Sequence, residues 1–238
     1  RSNIIRSQRE IVNLGYFNPE NMGINPKVNP QRGTVDIEYT LEEKPSDQLE
    51  LSAGWGGFGR GVIGTLGVAF NNFSVRNIFK KETWSPLPQG DGQRLSIRAQ
   101  TNGRLFQSYN ASFTEPWLGG KKPNALTVAA FHSRFSRGVG FTDFTPTSTF
   151  SITGLTLSLG TRLKFPDDNF ISSTAINIQT IKLDDWSVSA FSDRNGNPIT
   201  DGNFNNFSIT QTIARSTINN PLFPMEGSSF TLSGQLTL

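Results

Sequence analysis

Apolar residues recur at every second position through most of this chain, with polar residues between them. Leu95, Ile97 and Ala99 alternate with Arg94, Ser96, Arg98 and Gln100, and Leu155, Leu157 and Leu159 with Thr156, Ser158 and Gly160. The last segment repeats the pattern, with Phe230, Leu232, Gly234, Leu236 and Leu238 set against Ser229, Thr231, Ser233, Gln235 and Thr237. A period of two places each set on one face of a β-strand. About nine such segments follow residue 45, starting near Gln48, Gly61, Arg94, Arg104, Ala125, Phe150, Phe170, Asn206 and Ser228. Most run about ten residues, the length that crosses a bilayer when tilted.

The first 45 residues have another texture. Between Asn3 and Leu14, the residues Ile4, Ile5, Ile11, Val12 and Leu14 fit one side of a short amphipathic helix that Gly15 ends. Gly23 to Asn29 and Gly33 to Glu43 read as strands. In the second, Val35, Ile37, Tyr39 and Leu41 share one face, while Asp36, Glu38, Thr40 and Glu42 face water. A helix-strand-strand unit of about 45 residues is near the lower limit for an independent domain and reads as the second half of a small α+β module. The stretch LEEKPSDQLEL (Leu41 to Leu51), with Pro45 inside it, marks the border. The expectation is a mainly β chain, with one unit at residues 1–45 and an all-strand unit at 46–238.

Composition changes what the strands imply. Only 35% of the 238 residues are hydrophobic, yet 19 are Phe, and charges are sparse. No run of about 18 apolar residues exists, which excludes a transmembrane helix but not a transmembrane β-barrel, whose strands leave a weak hydropathy signal. Glu50, Arg94 and Arg98 fall on the polar faces. A lipid-facing surface requires that, because an Arg or Lys there costs about 2–4 kcal/mol at the bilayer midplane. The other faces, rich in Ser, Thr, Asn and Gln, suit a water-filled lumen better than a sandwich core. Trp55, Trp84, Trp117 and Trp186 lie at or beyond strand ends, where interfacial aromatics belong. Prolines concentrate in alternate connections, at Pro86 and Pro88, Pro116 and Pro123, Pro166, then Pro221 and Pro224, and so mark one rim. If Pro45 is the entry from a soluble domain, that rim is periplasmic.

Other chemistries find little support. A net charge of +3 spread along the chain is no nucleic-acid footprint. Without cysteine there are no disulfides, zinc-thiolate sites or cysteine nucleophiles. Gly54-Trp55-Gly56-Gly57-Phe58-Gly59 matches a dinucleotide-loop spacing, but period-two residues follow where that loop needs a helix. Asp193, Asn195, Asn197 and Asp201 could offer oxygens to calcium, although the spacing departs from an EF-hand and reads first as a surface loop. His132 is the sole histidine and reads as a solvated or interfacial side chain. Asp167-Asp168 and Asp184-Asp185 lie in turns, where carboxylates cap backbone amides. No enzyme activity and no cofactor are expected.

Specific stretches resemble one family. LGYF (Leu14 to Phe17) and VDIEYTLEEKPS (Val35 to Ser46), followed by a glycine-rich strand, are similar to the end of the last POTRA domain of BamA-type proteins. SFTEPWLGGKKPN (Ser112 to Asn124) resembles that family's turn after the fourth barrel strand, and INNPLFPMEGSSFTLSG (Ile218 to Gly234) the approach to the ninth. The resemblance implies a bacterial outer-membrane barrel of about 16 strands preceded by periplasmic POTRA domains. It implies as partners outer-membrane lipids, nascent outer-membrane proteins, periplasmic chaperones and outer-membrane lipoproteins, without nucleic acid. It further implies a weakly paired seam where clients add strands. Here that seam strand would be Gln48, Leu49, Glu50, Leu51, Ser52, Ala53, Gly54, Trp55, Gly56 and Gly57.

About nine strands alone would leave an open edge in hydrocarbon, so the chain is expected to be part of a larger barrel. A related POTRA-barrel pore that moves polypeptides through its lumen is the alternative within membranes. A cell-surface β-sandwich or adhesin is the alternative outside them.

Overall fold

The computed structural model describes residues 4, 7–8, 11–12, 16–43, 47–57, 61–84, 87–120, 122–137, 147–186, 192–218 and 226–238. Asn3, Ile5, Leu14, Gly15, Pro45, Ser46, Phe58, Gly59, Pro86, Pro221 and Pro224 lie outside them. At the start, Ile4, Ser7, Gln8, Ile11 and Val12 are α-helical. Strands β1 (Gly23–Asn29) and β2 (Thr34–Thr40) then form a two-stranded antiparallel sheet. On it Val28, Val35 and Ile37 stay exposed.

The remaining strands make one nine-stranded sheet in which every strand pairs with its neighbours in sequence. These are β3 (Gln48–Trp55), β4 (Val62–Phe73), β5 (Gln93–Asn102), β6 (Phe106–Glu115), β7 (Ala125–Arg137), β8 (Ser148–Arg162), β9 (Phe170–Asp184), β10 (Gly202–Ser216) and β11 (Ser229–Thr237). All pairs are antiparallel. Among the described residues β3 pairs only with β4 and β11 only with β10, so the sheet has two open edges. The described residues do not form a β-sandwich: beside the nine-stranded sheet there is only the two-stranded β1–β2 sheet.

The expected strand starts hold within a few residues, but lengths and one boundary need correction. β8, β9 and β10 each run 15 residues rather than about ten, and β10 begins at Gly202, ahead of Asn206. The extra length comes from polar pairs such as Lys182 with Asn203 and Thr180 with Asn205, which extend the ladder past the apolar region.

Almost nothing apolar is buried: among the described residues only Phe73 and Leu183 form a hydrophobic core. Instead the apolar side chains share one face. Leu49, Val68, Ile97, Ala111, Ala130, Leu155, Ile178 and Phe207 form an unbroken row across eight strands, β3 to β10. The row beside it begins Leu51, Leu66, Ala99 and Tyr109, then turns polar at His132, Thr153, Thr180 and Asn205. On β11 the apolar residues Leu236, Leu232 and Phe230 carry the belt on toward the opposite end of the ladder. The belt therefore runs obliquely across the rows, as a level slab must across tilted strands. The tilt also accounts for Arg134 and Lys182, which share the apolar face's parity but lie where the belt has left their strands, while Glu115 and Arg215 sit at its margin, opposite Leu126 and Phe230.

The polar face is stitched by side-chain hydrogen bonds across strands. Ser108 pairs with Ser133 at 2.9 Å, Thr114 with Thr127 at 2.9 Å, Thr156 with Asn177 at 2.9 Å and Thr212 with Ser233 at 2.8 Å. This face is more aromatic than its Ser/Thr/Asn content suggests. Phe106, Phe135 and Phe150 are register neighbours with ring centroids 4.8 and 5.6 Å apart. Phe131 lies over Gly154, whose missing side chain makes the room.

Candidate functional site

The edge strand β3 and its attachments form the candidate site. Its alternation is regular: Gln48, Glu50, Ser52 and Gly54 share the polar face, and Leu49, Leu51, Ala53 and Trp55 the apolar one. All eight residues are exposed, because only β4 flanks them. Gly56 and Gly57, expected in the strand, lie beyond it. Gly57 has φ 85° and Gly56 N donates to Gly61 O at 2.8 Å, so these two belong to the hairpin.

Two features set how β3 is held. Near its middle the Thr65 amide donates to the Ser52 hydroxyl at 3.0 Å, so a side chain competes for a ladder donor. Opposite Ala53, Gly64 approaches so closely that an added Cβ would run into the Ser52 carbonyl oxygen. At the other end Glu50, Gly67 and Arg98 lie in one register row on three consecutive strands. With no side chain at Gly67, Arg98 Nη2 reaches over β4 to Glu50 Oε1 at 3.1 Å. The pair is solvent-exposed and worth about 0–1 kcal/mol, so it registers β3 more than it secures it. Beside it, Asp47 Oδ1 accepts from Asn71 N at 3.1 Å, pinning the start of β3 to the end of β4.

Sequence reading missed Tyr16. Its hydroxyl lies 2.7 Å from Asn71 O and 3.0 Å from Gly92 O, tying the helix-strand-strand part to the base of the β4–β5 wall. Burial pushes the phenol above its ordinary value, opposed by the charge of Arg94, so the proton it donates stays in place at neutral pH. The signal in LGYF was visible, but its partners lie 55 and 76 residues away. Tyr16→Phe should remove about 0.5–1.5 kcal/mol of attachment. Spin-label distances between β2 and β5 should broaden in the variant, and an unchanged distribution would show the bond to be idle.

The four tryptophans divide. Trp55 ends β3 on the apolar face, while Trp84 and Trp117 are exposed in the β4–β5 and β6–β7 connections. Trp186 instead packs on the polar-face Phe150 at 5.5 Å, with the Arg137 guanidinium 6.0 Å over its ring. That packing, on side chains of β7 and β8, sets it apart from the other three.

Acidic turn residues are occupied in capping. Asp193 accepts from Asn195 N and Asn197 N, both at 2.8 Å, and from Asn197 Nδ2 at 3.0 Å. Hydrogen bonds from the Asn197 amide, first of all, hold its carboxyl below the usual range. Asp201 accepts from Asp185 N at 2.8 Å, and Asp167 pairs with Arg215 at 2.9 Å. Among the described residues no group of three or more His, Cys, Asp or Glu is placed to hold a metal. His132 Nδ1 is 2.8 Å from Thr153 Oγ1 on the neighbouring strand. The glycine-rich hairpin leads into β4 rather than a helix, so no dinucleotide loop forms.

No curated protein matches the chain. Among solved structures, BamA from Haemophilus ducreyi lacking POTRA domains 1–3 is similar, with 18% identity and a TM-score of 0.50. The match covers 99% of this chain and 42% of that one, so this chain spans less than half of the relative's length. The likeness supports the fold: an antiparallel sheet of the BamA-like barrel kind, open over the residues present here. Residues 89–238 match the Omp85 superfamily domain. With that match over more than half its length, and with a belt of apolar strands to carry it, the chain belongs to the Omp85 superfamily of outer-membrane β-barrel proteins.

Proposed function

We propose that this chain belongs to the central subunit of a Gram-negative outer-membrane assembly machine, the BAM complex, which folds and inserts nascent barrel proteins. Residues 1–45 are then the C-terminal part of the last POTRA domain, in the periplasm, and 46–238 the N-terminal portion of the barrel. The two-stranded sheet beside a separate nine-stranded one supports that division. Trp55, Trp84 and Trp117 fit the membrane-interface role.

The observation that carries the reading is β3: an edge strand, exposed throughout, whose outer half is held past a close glycine and a competing hydroxyl. An edge of this kind in lipid leaves backbone donors and acceptors unpaired, at a cost of several kcal/mol each, and another strand is the strongest relief. A client strand can pair there by β-augmentation with little dependence on its sequence. Once paired, it carries its own hydrocarbon face into the belt. No chemical catalysis is part of this proposal. Chaperones and lipoproteins would act through the periplasmic part.

The test uses Ser52→Cys in the full protein that carries this chain, since the chain has no cysteine of its own. Cross-linking to the terminal strand of a client during assembly is expected. Locking the same cysteine to the protein's own closing strand should stop insertion while leaving the barrel folded. Normal insertion by the locked protein would leave the seam passive and favour the pore reading, in which a passenger cross-links to the lumen instead.

A further inference from the structure

We propose that the rim formed by the β4–β5, β6–β7 and β8–β9 connections is a collar that binds the headgroups of an anionic phospholipid leaflet. Alternate connections of an antiparallel sheet emerge on the same side, so these three share a rim. Each presents a large exposed apolar side chain: Phe79 is 95% exposed, Phe165 84%, and Trp117 and Trp84 each 45%. Each also carries exposed cations near it in the chain: Arg76, Lys80 and Lys81 around Phe79, Lys122 after Trp117, and Lys164 before Phe165.

Phe79 is held out by a braced loop. The buried Ser74 hydroxyl donates to Asp91 Oδ2 at 2.6 Å and accepts from Asn77 N at 3.1 Å. Asn77 Nδ2 donates to Gln89 O at 2.9 Å, Val75 N to Gln93 Oε1 at 2.8 Å, and Pro88 is fully buried beneath. A loop this well tied could tuck its one phenylalanine inward, yet it leaves the ring outside.

The acids of these connections are spent on structure while the cations are not. Asp91 is engaged by Ser74, Glu115 by Gln93 Nε2 at 2.6 Å and by Trp117 N at 3.1 Å, and Asp167 by Arg215. Two further carboxylates belong to these connections: Glu82 beside Lys81, and Asp168, which has a contact of its own. None of Arg76, Lys80, Lys81, Lys122 or Lys164 makes an ion pair among the described residues. The free charge of the collar is positive. It adjoins the apolar belt, since β4 and β6 enter these turns through the apolar-face residues Phe70 and Phe113. Aromatic rings at headgroup depth, with lysines reaching from them toward phosphate, are what an anionic interface selects.

The test is independent of any insertase activity. The full protein is placed in nanodiscs with a bimane label at Phe79→Cys or Phe165→Cys, any cysteine elsewhere having been replaced. Brominated phosphatidylcholine or brominated phosphatidylglycerol is supplied at equal mole fraction. Both labels should be quenched by lipid and shielded from aqueous iodide, with phosphatidylglycerol quenching about threefold more strongly. That preference should vanish in the Lys80→Gln, Lys81→Gln, Lys164→Gln background while lipid quenching persists. Labels open to iodide, labels quenched by neither lipid, or equal quenching by both would each overturn the proposal.

Discussion

Leu232→Arg is expected to destabilise the folded protein in a bilayer by about 2–4 kcal/mol, whereas Ser233→Arg, one residue further on, should cost far less. Leu232 is 68% exposed on the apolar face of β11, beside Ile213 of β10. With no protein cover, its neighbour there is lipid, and an arginine must either reach the interface or drag water inward. Ser233 faces the other way and hydrogen-bonds Thr212 at 2.8 Å. An arginine at that position loses one exposed hydrogen bond, worth about 1 kcal/mol, and keeps its charge in water. Urea titration of the full protein folded into vesicles reads the difference. Equal tolerance of the two substitutions would place the belt on the wrong face.

Gly64→Val is expected to loosen β3 by about 1–3 kcal/mol, the usual cost of forcing a side chain into filled space. Its Cβ would meet the Ser52 carbonyl oxygen, which is backbone and cannot rotate aside. The strain falls on β3, because that strand has one partner while β4 is held from β5 as well. Gly234→Ala is the matched control, since nothing lies within 4 Å of the Cβ it would add. It should shift stability by less than about 0.5 kcal/mol. Hydrogen exchange of β3 amides should accelerate in the Val variant alone. Equal protection in both would mean that the close approach carries no strain. A variant with faster β3 exchange also probes the proposed seam, since client insertion should then become faster rather than slower.

Much of the candidate site was legible as text. Alternation from Gln48 to Trp55 locates a strand and assigns Ser52 to the polar face, because side-chain direction in a strand follows from position parity alone; its role as a seam is what the family resemblance implies. Gly56 and Gly57 read as strand in the sequence but belong to the hairpin, since a glycine hairpin and a glycine-rich strand end look the same until φ is known. Arg98 was placed on the correct face, but its reach to Glu50 needed the register that puts Gly67 between them.

The sequence by itself determined the sheet's strands, their parity and the absence of an ordinary core, because period two is a local property and each strand carries it without help. It also shows a change of texture near residue 45. What the tertiary structure decided depends on residues far apart in the chain. Tyr16 finds its acceptors only when the sheet has brought Asn71 and Gly92 together. Trp186 packs on Phe150 and Arg137 only because other strands bring them to it. The oblique course of the belt, which leaves Arg134 and Lys182 outside it on an apolar parity, is a property of how nine strands stagger against one another. Parity is written into each strand, but depth in a membrane is set by the tilt of the whole sheet.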